Sequence, residues 1–149
     1  MGIFDKVNDW KSQRRDKKIS SSLATMKNAK AIKDDRWMAI AFFNDHPDTD
    51  VAVTAMLDRF DFSIEHGIQD TKEKEVCMKN ILARGAEALP FVTKKLESTT
   101  RIAWPIKILS QLGEEEQIID VLKSALNFGD IDFDQNQVDE VVTAVAWAL

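Results

Sequence analysis

Cysteine, glycine and proline are scarce in this chain, and no apolar run is long. Its 149 residues include one cysteine, five glycines and three prolines. The single cysteine, Cys77, excludes an internal disulfide framework. No apolar run approaches the length of a membrane span, and the N-terminus lacks the apolar stretch of a secretory signal. We therefore expect a cytoplasmic protein rich in helix, because residues that break helices are few.

Sequence motifs of the common catalytic sites are also absent. There is no glycine-rich phosphate loop and no Gly-x-Ser-x-Gly turn. His46 and His66 each lie beside a turn signal and lack a closely spaced partner, so we expect exposed loop residues. The acidic run 129–134 begins like a calcium loop but lacks its glycine and its final glutamate, which leaves at most a weak surface cation site. Cys77 lies on an apolar stripe, where packing is expected. We predict no catalytic residue, no cofactor and no metal centre.

Apolar residues at helical spacing dominate what is present. Hydrophobic residues make up 44 % of the chain, whose length suits one domain with a sizeable core. Even the valines near the C-terminus follow helical spacing, and alternating strand patterns are nearly absent. The pattern predicts an all-α fold of about eight helices in antiparallel pairs. A break at Ser20–Ser22 is predicted to separate a basic amphipathic helix (1–19) from a helical repeat domain (20–149). The segment Arg36–Phe43 is apolar nearly all the way round, which predicts burial on every side.

Two stretches repeat the same pattern. Residues 75–96 and 102–126 each read as an apolar helix that closes on glycine, followed by a helix that opens on small or acidic residues. The closing residues, Gly85 and Gly113, lie 28 positions apart. Repeated helix pairs at about this spacing indicate an α-solenoid, whose stacked units present surfaces to partners.

These stretches resemble HEAT-like repeats. Residues 85–92 (GAEALPFV) are similar to the opening of the second helix of such a repeat, and residues 101–104 (RIAW), continuing to Leu112-Gly113, are similar to its first helix. The resemblance covers residues 72–126 well and leaves the first 18 residues outside it. It implies a short HEAT-like α-solenoid. Proteins of this kind are mostly scaffolds, adaptors and regulators, and a minority bind DNA, including alkylation-repair glycosylases.

We therefore expect a non-catalytic scaffold or adaptor whose partner is another protein. Phe91 and Trp147 both lie off the apolar stripe of their helices. Packing between repeats explains such residues, and so does a role as anchors for a partner, with Lys94 and Lys95 as polar contacts at the rim. The terminal residues 146–149 carry no polar cap, which indicates self-association or partner binding through the last helix and equally suits a chain cut from a longer one.

Charge is distributed unevenly along the chain. Residues 1–36 carry ten Lys/Arg and five Asp/Glu, whereas residues 37–149 carry ten and twenty. In the N-terminal helix a short apolar stripe is flanked or extended by basic residues, while the aspartates cluster on the opposite face. The stripe consists of Ile3, Val7 and Trp10, with Phe4 at its edge, and the basic residues chosen as candidate binding residues are Arg14, Arg15 and Lys18.

Three interpretations of helix 3–18 are open. The helix caps the solenoid with its stripe on the first repeat, or lies on an anionic membrane, or is a free arm for another partner. Recruitment to a membrane is the first alternative function of the protein. A DNA-binding protein of the alkylation-repair glycosylase type is the second. Nucleic acid is not the expected partner, because the acidic body repels polyanions and only a small basic set lies near Lys94 and Lys107.

Overall fold

Six α-helices and two short 3-10 turns make up the part of the chain that the computed structural model describes, namely residues 3–99 and 101–113 with the single positions 116 and 120. The helices are α1 (Ile3–Met26), α2 (Lys33–Asp45), α3 (Thr49–Asp58), α4 (Gly67–Ala83), α5 (Leu89–Ser98) and α6 (Ala103–Leu112), and the 3-10 turns are Arg59–Asp61 and Gly85–Ala88. These ranges contain no strand, which confirms the all-α prediction. None of these helices is both long enough and apolar enough to cross a bilayer.

Helix α1 continues through the three serines at which a break was predicted, so that prediction is wrong. The hydroxyl of Ser21 donates to the carbonyl of Lys18 at 3.3 Å, and Thr25 donates to the carbonyl of Ser21 at 3.1 Å. Serine hydroxyls that bond back to the preceding turn are accommodated inside a helix. The packing of Ile19, Leu23 and Met26 on the core then supports the last turns of α1.

Other helix ends follow local sequence signals, and the end at Gly85 lies where it was predicted. The carboxylate of Asp48 caps α3 by accepting from the backbone N–H of Asp50 at 3.0 Å and of Val51 at 3.4 Å. Gly85 follows the last residues of α4 with a φ of 64°, the left-handed conformation that glycine adopts most readily. Pro90 lies in the first turn of α5, where its missing N–H removes no helical hydrogen bond.

The core is formed by contacts both between consecutive helices and between alternate ones. Helix α1 contacts α2, α2 contacts α3, and α5 contacts α6, while α3 also packs on α5 and α4 on α6.

Helix α2 buries Ala39, Ile40 and Phe43 on one side, but Met38 on its other side is 66 % exposed. The expectation that this segment is buried all round is therefore wrong: α2 is amphipathic and lies at a surface.

A network of buried charges joins α2, the turn after α3, and α4. Glu73 accepts two hydrogen bonds from Arg36, at 2.7 and 3.0 Å, and one from Arg59 at 3.2 Å. Arg59 also donates to Asp70 at 2.8 Å, and Lys74 pairs with the other oxygen of Asp70 at 2.8 Å. Arg59 and Glu73 are fully buried. Because buried charges are costly unless paired, the mutual pairing of these five residues makes their burial tolerable.

The network lowers the pKa values of its two carboxyl groups, Asp70 and Glu73. Burial by itself would raise the pKa of Glu73, but hydrogen bonds from Arg36 and Gln69 and the charges of the two arginines outweigh it and lower that pKa. For Asp70 burial is likewise outweighed, by Lys74 and Arg59, so its pKa also lies below its ordinary value. The neighbouring Cys77 is buried as predicted, and burial raises the pKa of its thiol to about 12.

Candidate binding surfaces

Two predicted binding residues, Phe91 and Lys94, lie on a groove between α3 and α5. Helix α5 turns its buried side, with Val92 and Leu96, to the core, and thereby leaves Phe91 half-buried and Lys94 exposed beside α3. We call this the Phe91 groove; its volume is about 390 Å³. Its walls are stripes of residues three or four apart on each helix, the spacing that places side chains on one helix face. They comprise Asp50, Thr54, Leu57 and Asp58 of α3, and Pro90, Phe91, Lys94, Lys95 and Ser98 of α5.

Lys95 also lines the Phe91 groove, but its amine is already paired. Its Nζ lies 3.2 Å from Asp58 and 2.6 Å from Asp61, both on the α3 side. This bridge connects α5 to the last residue of α3 and to the 3-10 turn that follows it. Lys94 is exposed, so of the two lysines it is the one with an amine open to an incoming ligand. Sequence reasoning overlooked the two aspartates, because nothing in the local pattern shows that residues 34 and 37 positions apart meet.

The basic residues predicted in α1 lie at a second site. Arg15 and Lys18 line a groove of about 450 Å³ between α1 and the end of α2, together with Ile19, Phe42, Asp45, His46 and Pro47. The Nζ of Lys18 lies 5.9 Å from the centre of the Phe42 ring. Arg14 points elsewhere, with its guanidinium 4.7 Å from the Trp10 ring. The predicted binding residues therefore form separate groups rather than one site. Trp147 and the C-terminal helix, with its predicted self-association, lie outside the described residues.

The remaining candidates for chemistry have structural roles. His46 accepts a hydrogen bond from the backbone N–H of Asp48 at 3.1 Å, and His66 caps α4 by accepting from that of Gln69 at 3.2 Å. Across residues 3–99 and 101–113 no group of three or more His, Cys, Asp or Glu side chains is arranged to hold a metal ion. Trp104 stacks on the buried Phe60 with ring centres 5.7 Å apart, so it contributes to packing.

The small basic set near α5 and α6 does not form a continuous basic face. Lys95 is bound by two carboxylates, Arg101 donates to Ser63 at 3.2 Å, and the amine of Lys107 lies over Trp104 at 4.6 Å from the ring centre. Asp50 and Asp58 lie in the wall opposite Lys94. The Phe91 groove is therefore of mixed charge, which does not suit a row of phosphates.

Comparison with known proteins adds no family to this geometry. No family model matches the chain, and neither a curated protein nor a solved structure is found to be similar. The HEAT-like character suggested by residues 72–126 therefore stays a prediction.

Proposed function

We propose that this protein is a non-catalytic adaptor that binds a segment of another protein in the Phe91 groove. The observation that carries the proposal is the half-buried Phe91 on the wall of an open groove with Leu57 and Pro90 close by. A groove that combines apolar lining with a few polar groups is the usual form of a binding site. The stacking of α3 on α5 and of α4 on α6 supports a HEAT-like arrangement, in which such grooves between helices receive partners.

The charges on the two walls indicate how a partner is recognised. Lys94 offers an exposed ammonium on the α5 side, while Asp50 offers a carboxylate on the α3 side. A bound segment that places an apolar side chain against Phe91, with an acidic residue towards Lys94 and a basic or amide group towards Asp50, satisfies both walls. Phe91 supplies most of the affinity, and the rim charges supply orientation. Lys95 acts indirectly, because its bridge to Asp58 and Asp61 holds the walls together.

Substitution of Phe91 tests this proposal. We expect Phe91→Ala to weaken binding of a captured protein partner by more than about 2 kcal/mol, because a hot-spot aromatic is truncated. Partners are captured from lysate of the source cells with the whole chain, identified, purified, and titrated by calorimetry against each variant. Met38→Ala is the matched control, since Met38 is an exposed apolar residue on α2, away from the groove.

Two results would contradict the proposal. One is a partner whose affinity is the same for the wild type and Phe91→Ala. The other is equal weakening by Phe91→Ala and Met38→Ala, which would show that the loss is not specific to the groove. The urea midpoint of each variant establishes whether it remains folded.

A further inference from the structure

We propose that the first half of α1 binds the surface of an anionic lipid membrane. This surface is separate from the Phe91 groove, so it adds a membrane contact to a protein-binding module. We call residues 3–18 the arm. Every side chain of the arm that the structure describes is exposed, including the large apolar residues Ile3 at 79 % and Trp10 at 55 %. An exposed group of large apolar side chains on a helix calls for a surface that covers it.

The apolar stripe of the arm faces away from the part of the body that the structure describes. The side chains with which α1 packs on the body are Ile19, Ser22, Leu23 and Met26. Because α1 is one continuous helix, residues 3, 7 and 10 lie on a side about 140° around the axis from these four, at 3.6 residues per turn. The arm therefore does not lay its stripe on the described part of the body, as the capping interpretation requires.

Charges in the arm are separated between two sides of the helix. At 3.6 residues per turn the three acidic residues fall within an arc of about 40° on the side opposite the basic ones. The basic residues spread over about 180°, on both sides of the stripe and along it. The acidic residues are Asp5, Asp9 and Asp16, and the basic ones are Lys6, Lys11, Arg14, Arg15, Lys17 and Lys18. Arg15 and Lys18 line the groove beside α2, so the face that contains Ile3, Val7 and Trp10 carries the other four positive charges and no negative one.

The arm also extends far enough from the body to reach a flat surface. Arg15 and Lys18 lie beside the last residues of α2, which ends at Asp45. Residues 3–14 thus continue past the end of α2 for about 18 Å at 1.5 Å per residue. This distance separates much of the basic face from the part of the body that the structure describes.

A lipid surface fits this face better than a folded partner. Only three described apolar side chains form the stripe, which is too few for a tight protein contact, whereas many flexible basic chains surround them. On a bilayer the long basic side chains extend to phosphate headgroups while the apolar residues enter the boundary. Trp10, with Arg14 stacked 4.7 Å from its ring centre, is the kind of amphipathic side chain that prefers this depth.

Co-sedimentation of the full chain with vesicles tests the proposal. The vesicles are phosphatidylcholine alone, or phosphatidylcholine with about one third phosphatidylserine, which supplies the negative surface potential. We expect binding to the anionic vesicles only, and weaker binding as the salt concentration rises. The double variant Lys11→Gln/Arg14→Gln should weaken binding by about fivefold for each charge removed. Trp10→Ser should weaken it by about tenfold or more, because a large apolar group no longer enters the boundary.

The control Lys30→Gln/Lys33→Gln removes the same charge outside the arm, from exposed positions after α1 and at the start of α2. It should bind nearly as the wild type does, and so should Phe91→Ala. The proposal is overturned if this control loses as much binding as the arm variant, if neutral vesicles bind equally well, or if the chain binds duplex DNA but no vesicle. Because the substituted arm residues are exposed, unchanged urea midpoints are expected, and they exclude unfolding as the cause of lost binding.

Discussion

Gly85 and Gly67 differ in backbone conformation while sharing open surroundings, which makes them a test of conformational strain alone. A Cβ added at either position meets no atom within 4 Å, but only Gly85 has a positive φ, at 64°. We expect Gly85→Ala to lower the free energy of unfolding by about 1 kcal/mol or more, because an L-residue is strained in the left-handed region. Gly67→Ala, in the first turn of α4, should be neutral or stabilise by up to about 1 kcal/mol. Urea unfolding of both variants measures the difference, and equal effects would contradict this explanation.

Features that depend on one residue and its nearest neighbours in the chain are those that a local sequence pattern can indicate. Gly85 ends α4, Pro90 begins α5 and Asp48 lies in the turn before α3, and each works locally through φ, a missing N–H or a nearby carboxylate. The serines at 20–22 led to the wrong prediction of a helix break. They favour caps in isolation, but the packing of their neighbours on α2 decides in favour of a continuous helix.

At the scale of the element, α1 is one helix with two differently supported halves. Its last turns pack on the core through Leu23 and Met26, whereas the arm buries no side chain against the described part of the body. A helix of this length without tertiary contacts is marginal in water. The sequence showed the apolar stripe of the arm, but not the side on which α2 lies, and therefore not that the stripe faces outwards.

Hydrogen exchange measures this contrast. We expect backbone amides of residues 6–14 to exchange within about a hundredfold of unstructured rates, because local opening there breaks no packing. Amides of residues 23–26 should instead be protected to nearly the level of global unfolding. Addition of anionic vesicles should slow exchange at 6–14 and leave 23–26 unchanged. Equal protection of both halves without lipid would show that contacts outside α1 support the arm and would contradict its free exposure.

At the scale of the whole molecule, the buried charge network ties helices that are distant in sequence. Arg36 and Glu73 are 37 positions apart, and Arg59 is a further partner of Glu73. No local pattern marks such pairs, since each residue read alone looks like part of a solvated helix face. The all-α fold and the helix ends at Gly85 and Gly113 were therefore predictable, whereas the network and the lysine bridge across the Phe91 groove were not.

The network makes stability depend on pH in the acidic range. The pKa values of Glu73 and Asp70 are lower in the folded state than in the unfolded state. At a pH between the folded-state and unfolded-state values, the unfolded chain therefore binds more protons than the folded one. Their contribution is complete well above pH 4 or so, the usual carboxyl range, and is lost as the pH falls through the lowered values. We expect Glu73→Gln to destabilise by about 3 kcal/mol at pH 7, because two buried arginines lose their shared anion.

Urea unfolding at a series of pH values from neutral to acidic checks the direction of this pH dependence. The difference in the free energy of unfolding between the wild type and Glu73→Gln should become smaller as the pH falls, since protonated Glu73 resembles the glutamine of the variant. Lys27→Gln is the control, because the Lys27 side chain is 58 % exposed and its amine lies 3.7 Å from Asp58, so loss of this pair should change stability by less than about 1 kcal/mol. A difference in the free energy of unfolding that stays constant with pH would contradict the proposed role of the Glu73 charge.

The sharing of Glu73 by two arginines also restricts how this sequence can diverge. Loss of the glutamate alone removes the carboxylate that Arg36 binds and leaves Arg59 with Asp70, and loss of either arginine alone removes part of what holds the anion. Replacement of all three by apolar residues of similar volume, in contrast, leaves no charge uncompensated. Positions 36, 59 and 73 should therefore covary as a triplet among descendants of this chain, with few lineages in which only one of them has changed.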